Sequence, residues 1–322
     1  MDDFCLKFST VGTGPGERRI AVRARVALGS KATGQRGHPE VRAHSASEDA
    51  RERADDTRPE PGSSARAAPG LLWLGGFKSD MKGIKAEALD RWASEQGRAM
   101  VRFDYSGHGE SGGDFADGTI GRWLEESLAV LDAFCRGPQV LVGSSMGGWL
   151  ALLLVRELAR RGRPAVARAH VPEKWEPVFR EGHAQPKETS DPRVAGLVLI
   201  APAVDFTEEL MWKRFPPEVR RELEDKGAWA RPSQYSAEPY LITRGLIEEG
   251  RRHLLLGAMI ETGCPVRILQ GVQDPDVPWQ HALELSARFA RDDVVLTLVK
   301  NGDHRLSRPE DIERLLAAVA EF

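Results

Sequence analysis

Short apolar segments alternate with helix-like segments along most of this sequence, and this alternation constrains the fold more than any other feature. Compact apolar runs bounded by glycine, proline or charged residues occupy residues 71–74, 100–103, 140–142, 194–200, 266–269 and 295–299. Such runs are typical of strands buried on both faces of a sheet. Helix-like segments occupy residues 82–96, 120–134, 147–160, 279–291 and 309–322. The order predicts an α/β fold, a mostly parallel twisted sheet with helices on both faces.

Several segments depart from this alternation within what we expect to be a single domain of 322 residues. Residues 18–27 alternate apolar and basic side chains, which predicts a half-buried or edge strand. Residues 29–68 are polar, charged and poor in aromatic residues, so we predict a disordered insertion there. Residues 162–192 have a similar composition and are predicted to be a polar insertion. Residues 204–256 are rich in charged and aromatic residues without a clear strand, which predicts a small helical cap.

Charge and hydropathy exclude several classes of partner. The 45 basic residues nearly balance the 48 acidic ones, so the sequence has no electrostatic signature of binding nucleic acid or an anionic membrane surface. The most apolar stretch, residues 140–155, is interrupted by glycine and serine and is too short to span a bilayer. The three cysteines are widely spaced, which fits a reducing compartment. The acidic N-terminus has no secretion signal, so we expect a soluble, cytoplasmic protein without an integral membrane segment.

The stretch Gly143-Ser144-Ser145-Met146-Gly147 follows one apolar run and precedes a helix-like run. It matches the pattern G-x-S-x-G of a nucleophile elbow, in which a strained turn lifts the serine hydroxyl above the carboxyl end of a strand. The alternative is an ordinary glycine turn, because short matches of this kind occur by chance. Its position between a strand and a helix favours the elbow, with Ser145 as the nucleophile.

A serine nucleophile needs a general base, and the base needs an orienting acid. His304 follows the last apolar run, and Asp274 follows the run before it. The order serine, aspartate, histidine is that of a hydrolase with an α/β sheet. The sequence predicts His304 as the base and Asp274 as the acid, and this chemistry requires no metal and no cofactor. Other carboxylates remain as alternative acids: Asp276, Asp303 and Asp205.

Two backbone amides are predicted to donate hydrogen bonds to the negatively charged oxygen, the oxyanion, that forms during the reaction. One is the amide of Met146, directly after the nucleophile, and the other is that of Phe77, which follows Gly76 at the end of an early strand. The glycine turn around His108 is expected to shape the site without taking part in the chemistry. Six cap residues either line an acyl channel with Gly76 or pack the cap onto the sheet: Met211, Trp212, Phe215, Trp229, Tyr235 and Tyr240.

Several motifs carry a family resemblance over residues 71–322: RFDYSGHGES, GSSMGGWLALL, VLIAPAVDFTEELMW, QGVQDPDVPW and GDHRLSR. The sequence resembles α/β-hydrolase-fold serine hydrolases, and in particular the mitochondrial palmitoyl-protein thioesterase and acyl-glucuronide esterase with its bacterial relatives. The resemblance implies that Ser145, Asp274 and His304 form the catalytic triad. It implies hydrolysis of fatty-acyl thioesters and activated acyl esters, with a small molecule or an acylated protein as substrate.

Other functions remain open on the sequence alone. A carboxylesterase of small esters and a hydrolase of carbon–carbon bonds use the same triad, so the triad does not separate them from a thioesterase. A binding protein on a hydrolase fold is the non-enzymatic alternative. Because the sequence retains the predicted triad residues and the oxyanion glycines, it favours an enzyme over a binding protein.

Overall fold

A computed structural model of the chain describes residues 5–12, 16–27, 68–162, 191–232 and 239–322. The predicted disordered insertion at 29–68 and the predicted polar insertion at 162–192 lie almost entirely outside these residues. Tyr235 also lies outside them, as does the side chain of Tyr240.

Eight strands form the main sheet. Across it they follow the order β1 (Cys5–Val11), β2 (Arg18–Arg25), β4 (Met100–Phe103), β3 (Gly70–Leu74), β5 (Gln139–Ser144), β6 (Val194–Ile200), β9 (Val266–Gly271) and β10 (Val294–Val299). The pairs of β1 with β2 and of β2 with β4 are antiparallel. All other neighbouring strands are parallel. The predicted fold class, a mostly parallel α/β sheet, is confirmed.

The described residues form seven α-helices: α1 (Ile84–Glu95), α2 (Ile120–Phe134), α3 (Met146–Gly162), α4 (Pro217–Lys226), α5 (Arg244–Gly250), α6 (Trp279–Ala287) and α7 (Pro309–Ala320). Apolar residues of α1 and α7 share one buried cluster, and those of α2, α3 and α6 share the other. The sheet therefore has a helical layer on each face, as the alternation predicts. Among the described helices, none combines the length and the hydrophobicity that crossing a bilayer requires.

Alternate residues of the central strands enter opposite layers of the core. In β3, Leu72 and Leu74 pack with the layer of α2 and α3, whereas Leu71 and Trp73 pack with the layer of α1 and α7. Side chains alternate between faces along a strand, so a strand covered on both sides must be apolar at nearly every position. Each buried leucine contributes roughly 1.5–3 kcal/mol relative to an exposed one.

The two edges of the sheet differ from the sequence prediction. The run at residues 295–299 was predicted to be buried on both faces, but in β10 only Val299 is buried, and Val295 and Leu298 are more than 40% exposed. The reason is that β10 is the last strand and pairs only with β9. At the opposite edge, β1 has no counterpart in the sequence prediction and pairs with β2. The strand predicted at residues 18–27, β2, is therefore partly buried between β1 and β4 and is not an edge.

The cap at residues 204–256 is mixed rather than purely helical. It contains α4 and α5, but also an antiparallel pair of short strands, β7 (Ala228–Arg231) and β8 (Tyr240–Thr243). Each of these strands has only four residues. A segment that short does not establish a period of two along the sequence, so the prediction of a helical cap missed them.

The two ends of the cap are joined by one buried carboxylate. Asp205, 1% exposed, accepts hydrogen bonds from the backbone amides of Leu255 at 2.9 Å and Leu256 at 2.8 Å. Burial raises the pKa of Asp205 to about 6. Nearby, the ring of His281 on α6 donates from Nε2 to the carbonyl of Val204 at 2.8 Å. These hydrogen bonds hold the start and the end of the cap segment close together.

Candidate active site

Ser145 occupies the sharp turn between β5 and α3. Its φ of 54° lies in the left-handed region, which is strained for a residue with a side chain. The amide of Ser145 donates to the carbonyl of Ile200 at 2.8 Å, and its carbonyl accepts from the amide of Ala203 at 3.1 Å. Strain of this kind costs roughly 1–3 kcal/mol and persists because surrounding structure enforces it. The neighbouring strand β6 and the loop after it provide that enforcement.

Gly143 and Gly147, which flank the elbow, have no room for a side chain. A Cβ atom on Gly147 would lie 2.0 Å from the carbonyl oxygen of Leu74, and one on Gly143 would lie 2.3 Å from the carbonyl oxygen of Gly147. Both obstacles are backbone atoms, which cannot move aside as a flexible side chain can. An ordinary turn does not need such close approaches, so the geometry favours the elbow interpretation.

Ser145, His304 and Asp274 lie in a hydrogen-bonded chain. The hydroxyl of Ser145 is 3.1 Å from Nε2 of His304, and Nδ1 of His304 is 2.7 Å from a carboxylate oxygen of Asp274. The three residues follow β5, β10 and β9, which are parallel strands whose carboxyl ends meet at one edge of the sheet. With Nδ1–H donating to the carboxylate, Nε2 is left as the acceptor that faces the serine hydroxyl.

The carboxylate of Asp274 is held firmly in place. Its side chain is fully buried. One oxygen accepts from the amides of Asp276 and Val277, each at 2.8 Å, and the other also accepts from the side-chain amide of Gln270 at 3.2 Å. These donors fix the orientation of the carboxylate and hence that of the His304 ring.

The alternative acids occupy other positions. Asp303 accepts from the amide of Leu306 at 2.9 Å and so holds the loop beyond His304, and Asp205 joins the ends of the cap. Asp276 offers a carboxylate oxygen within 4.8 Å of ligand atoms on Asp274 and His304, a spacing that would suit a metal ion. Both oxygens of Asp274 already accept hydrogen bonds, which suits a carboxylate that orients the histidine ring and stabilises its charged form.

The segment with Gly76 and Phe77 passes beside the elbow. A Cβ atom on Gly76 would lie 3.4 Å from the Cβ of Ser145. The segment forms a tight turn in which the amide of Ser79 donates to the carbonyl of Gly76 at 3.1 Å. Met146 begins α3, and the first amides of a helix have no acceptor within the helix. Both predicted oxyanion donors therefore belong to backbone segments next to Ser145.

His108 supports this turn from behind, a role that sequence reasoning missed. The backbone amide of Lys78 donates to Nε2 of His108 at 3.2 Å, while Nδ1–H donates to the carbonyl of Ser106 at 3.1 Å. Burial lowers the pKa of His108 to about 4, so the ring is neutral near pH 7. The rings of Phe115 and Trp123 contact it edge-on. The available signal was a histidine between two glycines after a buried strand.

Lys85 on α1 supports the loop that carries the histidine. Its ammonium group donates to the carbonyl of Arg305 and lies 3.4 Å from the hydroxyl of Ser307. Burial is the main cause that lowers the pKa of Lys85 to about 8. The contact holds the residues directly after His304 against the first helix.

A cavity of about 910 Å³ opens at Ser145 and His304. Gly76, Phe77 and Met146 line it, as do the predicted cap residues Met211, Phe215 and Trp229. Its other apolar lining includes Phe206, Leu210 and Val277. A site of this size, lined by both apolar and charged side chains, can hold a small-molecule substrate.

Trp212 was predicted either to line the acyl channel or to pack the cap; the structure does not place it in the channel and favours packing. Trp212 is absent from the residues that surround the cavity. Its ring instead lies beneath the guanidinium groups of Arg220 and Arg251, at 5.6 and 5.0 Å. The backbone changes from a π-helical turn to a 3₁₀ turn between Met211, which lines the cavity, and Trp212, which does not.

Comparison with known proteins shows extensive similarity. A family model described as the alpha/beta hydrolase family matches residues 68–315. Mouse (Mus musculus) palmitoyl-protein thioesterase ABHD10, mitochondrial, is 38% identical over 255 residues, which cover 79% of this chain and 75% of that protein. A provisionally named hydrolase from Agrobacterium vitis S4 has a crystal structure with a TM-score of 0.75 and 42% identity, covering 99% of this chain and 98% of that one. Mouse alpha/beta hydrolase domain-containing protein 10 has a TM-score of 0.68 at 29% identity, covering 98% and 97%.

Proposed function

The chain belongs to the alpha/beta hydrolase family of hydrolytic enzymes, and from this premise we propose that it cleaves acyl thioesters and esters through Ser145, His304 and Asp274. The observation that carries the proposal is the continuous hydrogen-bonded chain from the buried carboxylate through the imidazole to the serine hydroxyl. In that arrangement the imidazole can remove the hydroxyl proton as the oxygen attacks.

The reaction proceeds in two halves. Oγ of Ser145 attacks the acyl carbonyl carbon while Nε2 of His304 takes the hydroxyl proton, and the amides of Phe77 and Met146 donate to the resulting oxyanion. The bond to the leaving sulfur or oxygen then breaks, and His304 returns the proton to the departing thiol or alcohol. A water molecule repeats the attack on the acyl-enzyme, which releases the carboxylic acid and restores Ser145. Asp274 stabilises the imidazolium in both halves.

The acyl group is proposed to be a fatty-acyl chain. Apolar cap residues such as Met211, Phe215 and Trp229 line the cavity beside the nucleophile, and their burial of a hydrocarbon chain would be favourable. The name of the mouse relative, a palmitoyl-protein thioesterase, supports the same class of substrate. The volume of the cavity lies near the upper end of the usual range for small-molecule sites, roughly 300–1,000 Å³.

The proposal is tested with Ser145→Ala and with the matched variant Ser286→Ala, which removes a hydroxyl on α6. We expect Ser145→Ala to lower kcat for a palmitoyl thioester by about ten-thousandfold or more, with the fold preserved. Ser286→Ala should stay within about twofold of the wild type, since ordinary surface substitutions are nearly neutral. A fluorophosphonate probe should label the wild type and Ser286→Ala but not Ser145→Ala. Turnover of Ser145→Ala near the wild-type level would refute the assignment.

The substrate class is tested separately from the triad. Palmitoyl thioester, butyryl ester and a vinylogous diketone are compared by kcat/KM on the wild type. We expect the palmitoyl thioester to rank first. A butyryl ester or a diketone in first place would leave the nucleophile intact and overturn the fatty-acyl assignment.

A further inference from the structure

The charged side chains that line the active-site cavity are mostly cationic. Two are carboxylates, Asp80 and Asp276, and six are basic: Lys78, Lys82, Lys85, Arg214, Arg231 and Arg305. The whole chain carries a formal net charge of −3. The positive lining is therefore a local property of the cavity rather than a reflection of the composition.

Within the residues that the structure describes, three of these cations have neither an ion pair nor a side-chain hydrogen bond. Lys82 pairs with Glu110 at 2.7 Å, and Lys85 donates to the carbonyl of Arg305. By contrast, Lys78, Arg214 and Arg231 lie outside every ion pair of the described part of the chain, and the ammonium of Lys78 lies 4.3 Å above the ring of Phe115. Unpaired cations around one cavity favour an anionic ligand, because charge-assisted hydrogen bonds are stronger than neutral ones.

These three cations come from separate segments that border both the nucleophile and the acyl side of the cavity. Lys78 is two residues beyond Gly76, which lies against Ser145. Arg214 directly precedes Phe215, a lining residue of the cap. Arg231 is two residues from Trp229 on β7, so both side chains project from the same face of that strand.

The two arginines lie next to paired aromatic rings. The centroids of Phe215 and Trp229 are 5.2 Å apart, so the chain segments that carry Arg214 and Arg231 meet in the folded cap. Both arginines line the same cavity, and each reaches it from a different segment of the cap.

We infer that the natural leaving group is a thiol that carries phosphate groups, bound by Lys78, Arg214 and Arg231. A single carboxylate would be matched by one arginine, whereas three cations from separate segments match a group with several negative charges. The planar fork of arginine fits phosphate oxygens in a bidentate manner. Acyl thioesters of nucleotide-bearing thiols, of which coenzyme A is an example, combine such charges with the apolar chain that the cap accommodates.

This inference rests on the proposed hydrolysis and changes only the identity of the leaving group. Water and the acyl thioester give the carboxylic acid and the free phosphate-bearing thiol. The carbon–sulfur bond breaks, and His304 delivers the serine-derived proton to the leaving sulfur. No reactant other than water is needed.

The test compares two octanoyl thioesters that share the acyl chain and the reacting bond. One leaving group is coenzyme A, and the other is N-acetylcysteamine, which has no phosphate. We expect the wild type to have a kcat/KM about tenfold or more higher for the coenzyme A thioester, and this preference should fall as ionic strength rises. The double variant Arg214→Gln/Arg231→Gln should lose about a hundredfold on the coenzyme A thioester, at roughly tenfold for each lost charged contact. Its kcat/KM for the N-acetylcysteamine thioester should stay within about twofold of the wild type.

Arg221→Gln is the matched control, because Arg221 is an exposed cap arginine outside the cavity lining. It should leave both rates unchanged. The inference is overturned if the wild type shows no preference for coenzyme A, or if the double variant slows both thioesters equally. An octanoyl ester of glucuronate, with a single carboxylate, should lose less in the double variant, and an equal loss would overturn the phosphate assignment. Failure of the proposed function has a different signature: neither thioester is hydrolysed and no fluorophosphonate label is incorporated.

Discussion

The imidazole of His108 accepts a hydrogen bond from the backbone amide of Lys78, over 3.2 Å. Lys78 has a φ of 60°, so the turn that contains Phe77 is held in a strained conformation. Because burial lowers the pKa of His108 to about 4, the ring remains a neutral acceptor throughout the neutral range. A buried histidine thus positions the segment that we assign to oxyanion stabilisation.

Replacing His108 should impair the chemical step more than substrate binding. We expect His108→Leu to lower kcat for an octanoyl thioester by about ten- to a hundredfold, because a displaced oxyanion donor weakens stabilisation of the transition state. KM should change by less than about threefold, since the acyl contacts remain. Steady-state kinetics on the purified variants measures both quantities.

His108→Gln serves as the comparison, since glutamine retains an acceptor in a side chain of similar length. It should recover part of the lost kcat, whereas leucine fills the space without accepting. If both variants show equal kcat, the ring acts only by packing. Thermal unfolding of each variant separates loss of activity from loss of fold.

Truncation of cap residues that line the cavity should change acyl-chain preference. Trp229→Ala and Met211→Ala remove apolar surface from the cavity wall, so we expect kcat/KM for long chains to fall about tenfold relative to butyryl substrates. Trp212→Ala is the matched control because its ring lies under Arg220 and Arg251 instead. A series of thioesters from butyryl to palmitoyl measures the profile. A changed profile in Trp212→Ala, or unchanged profiles in the other two variants, would contradict the assignment of the wall.

Lys85 should contribute to activity through the loop that holds His304. Lys85→Met removes the donor to the Arg305 carbonyl, and we expect kcat to fall about three- to tenfold as the imidazole loses alignment. The pKa of Lys85 is lowered to about 8, so the ammonium loses its charge as pH rises through that value. Wild-type kcat should therefore decline above pH 8, and Lys85→Met should lack this decline.

Arg91→Met provides the control for this experiment. Arg91 is exposed on the same helix, so its replacement removes a charge without touching the histidine loop. Its pH–rate profile should match that of the wild type. An alkaline decline that persists in Lys85→Met would assign the decline to another group.

Local signals made much of the fold predictable from sequence. Residues 100–103, 120–134 and 194–200 have the same bounds in the structure as in the prediction, because each is a short apolar run or an amphipathic face flanked by clear breaks. Residues 295–299 were placed correctly as a strand but not as an edge, since apolar composition does not reveal how many neighbours a strand has.

Features that depend on long-range packing were not predictable in this way. The direction of Trp212 follows from an irregular turn, which no sequence period describes. The support that His108 gives to Lys78 joins residues 30 positions apart through two loops. Likewise, Arg214 and Arg231 face one cavity only because the cap folds their segments together. The sequence shows that these residues are present but does not show that they lie close together in the folded protein.

The buried carboxylate of Asp205 should give the protein a pH-dependent stability. Its folded-state pKa of about 6 exceeds the usual value of 3.8, so the folded state binds this proton more tightly than the unfolded state. Stability from this group is therefore greatest below about pH 4 and is lost as pH rises through 6. The difference amounts to roughly 2–3 kcal/mol at most. Asp205→Asn should lack this loss, so its free energy of unfolding relative to the wild type should improve between pH 4.5 and pH 7.

Urea unfolding at both pH values measures this change. Asp225→Asn, an exposed substitution on α4, controls for general effects of charge and should show no such trend. If Asp205→Asn follows the wild type in parallel across the range, the carboxylate does not titrate between the two states.

Because Asp205 binds the backbone amides of Leu255 and Leu256, the cap segment between them begins and ends at the same place on the sheet. Substitutions in this segment, or its replacement by the corresponding segment of a related protein, can therefore change the cavity lining above the nucleophile and leave the catalytic residues in place. New substrate specificities in this fold should then arise mainly from sequence changes between the two ends of the cap, while the sheet stays constant.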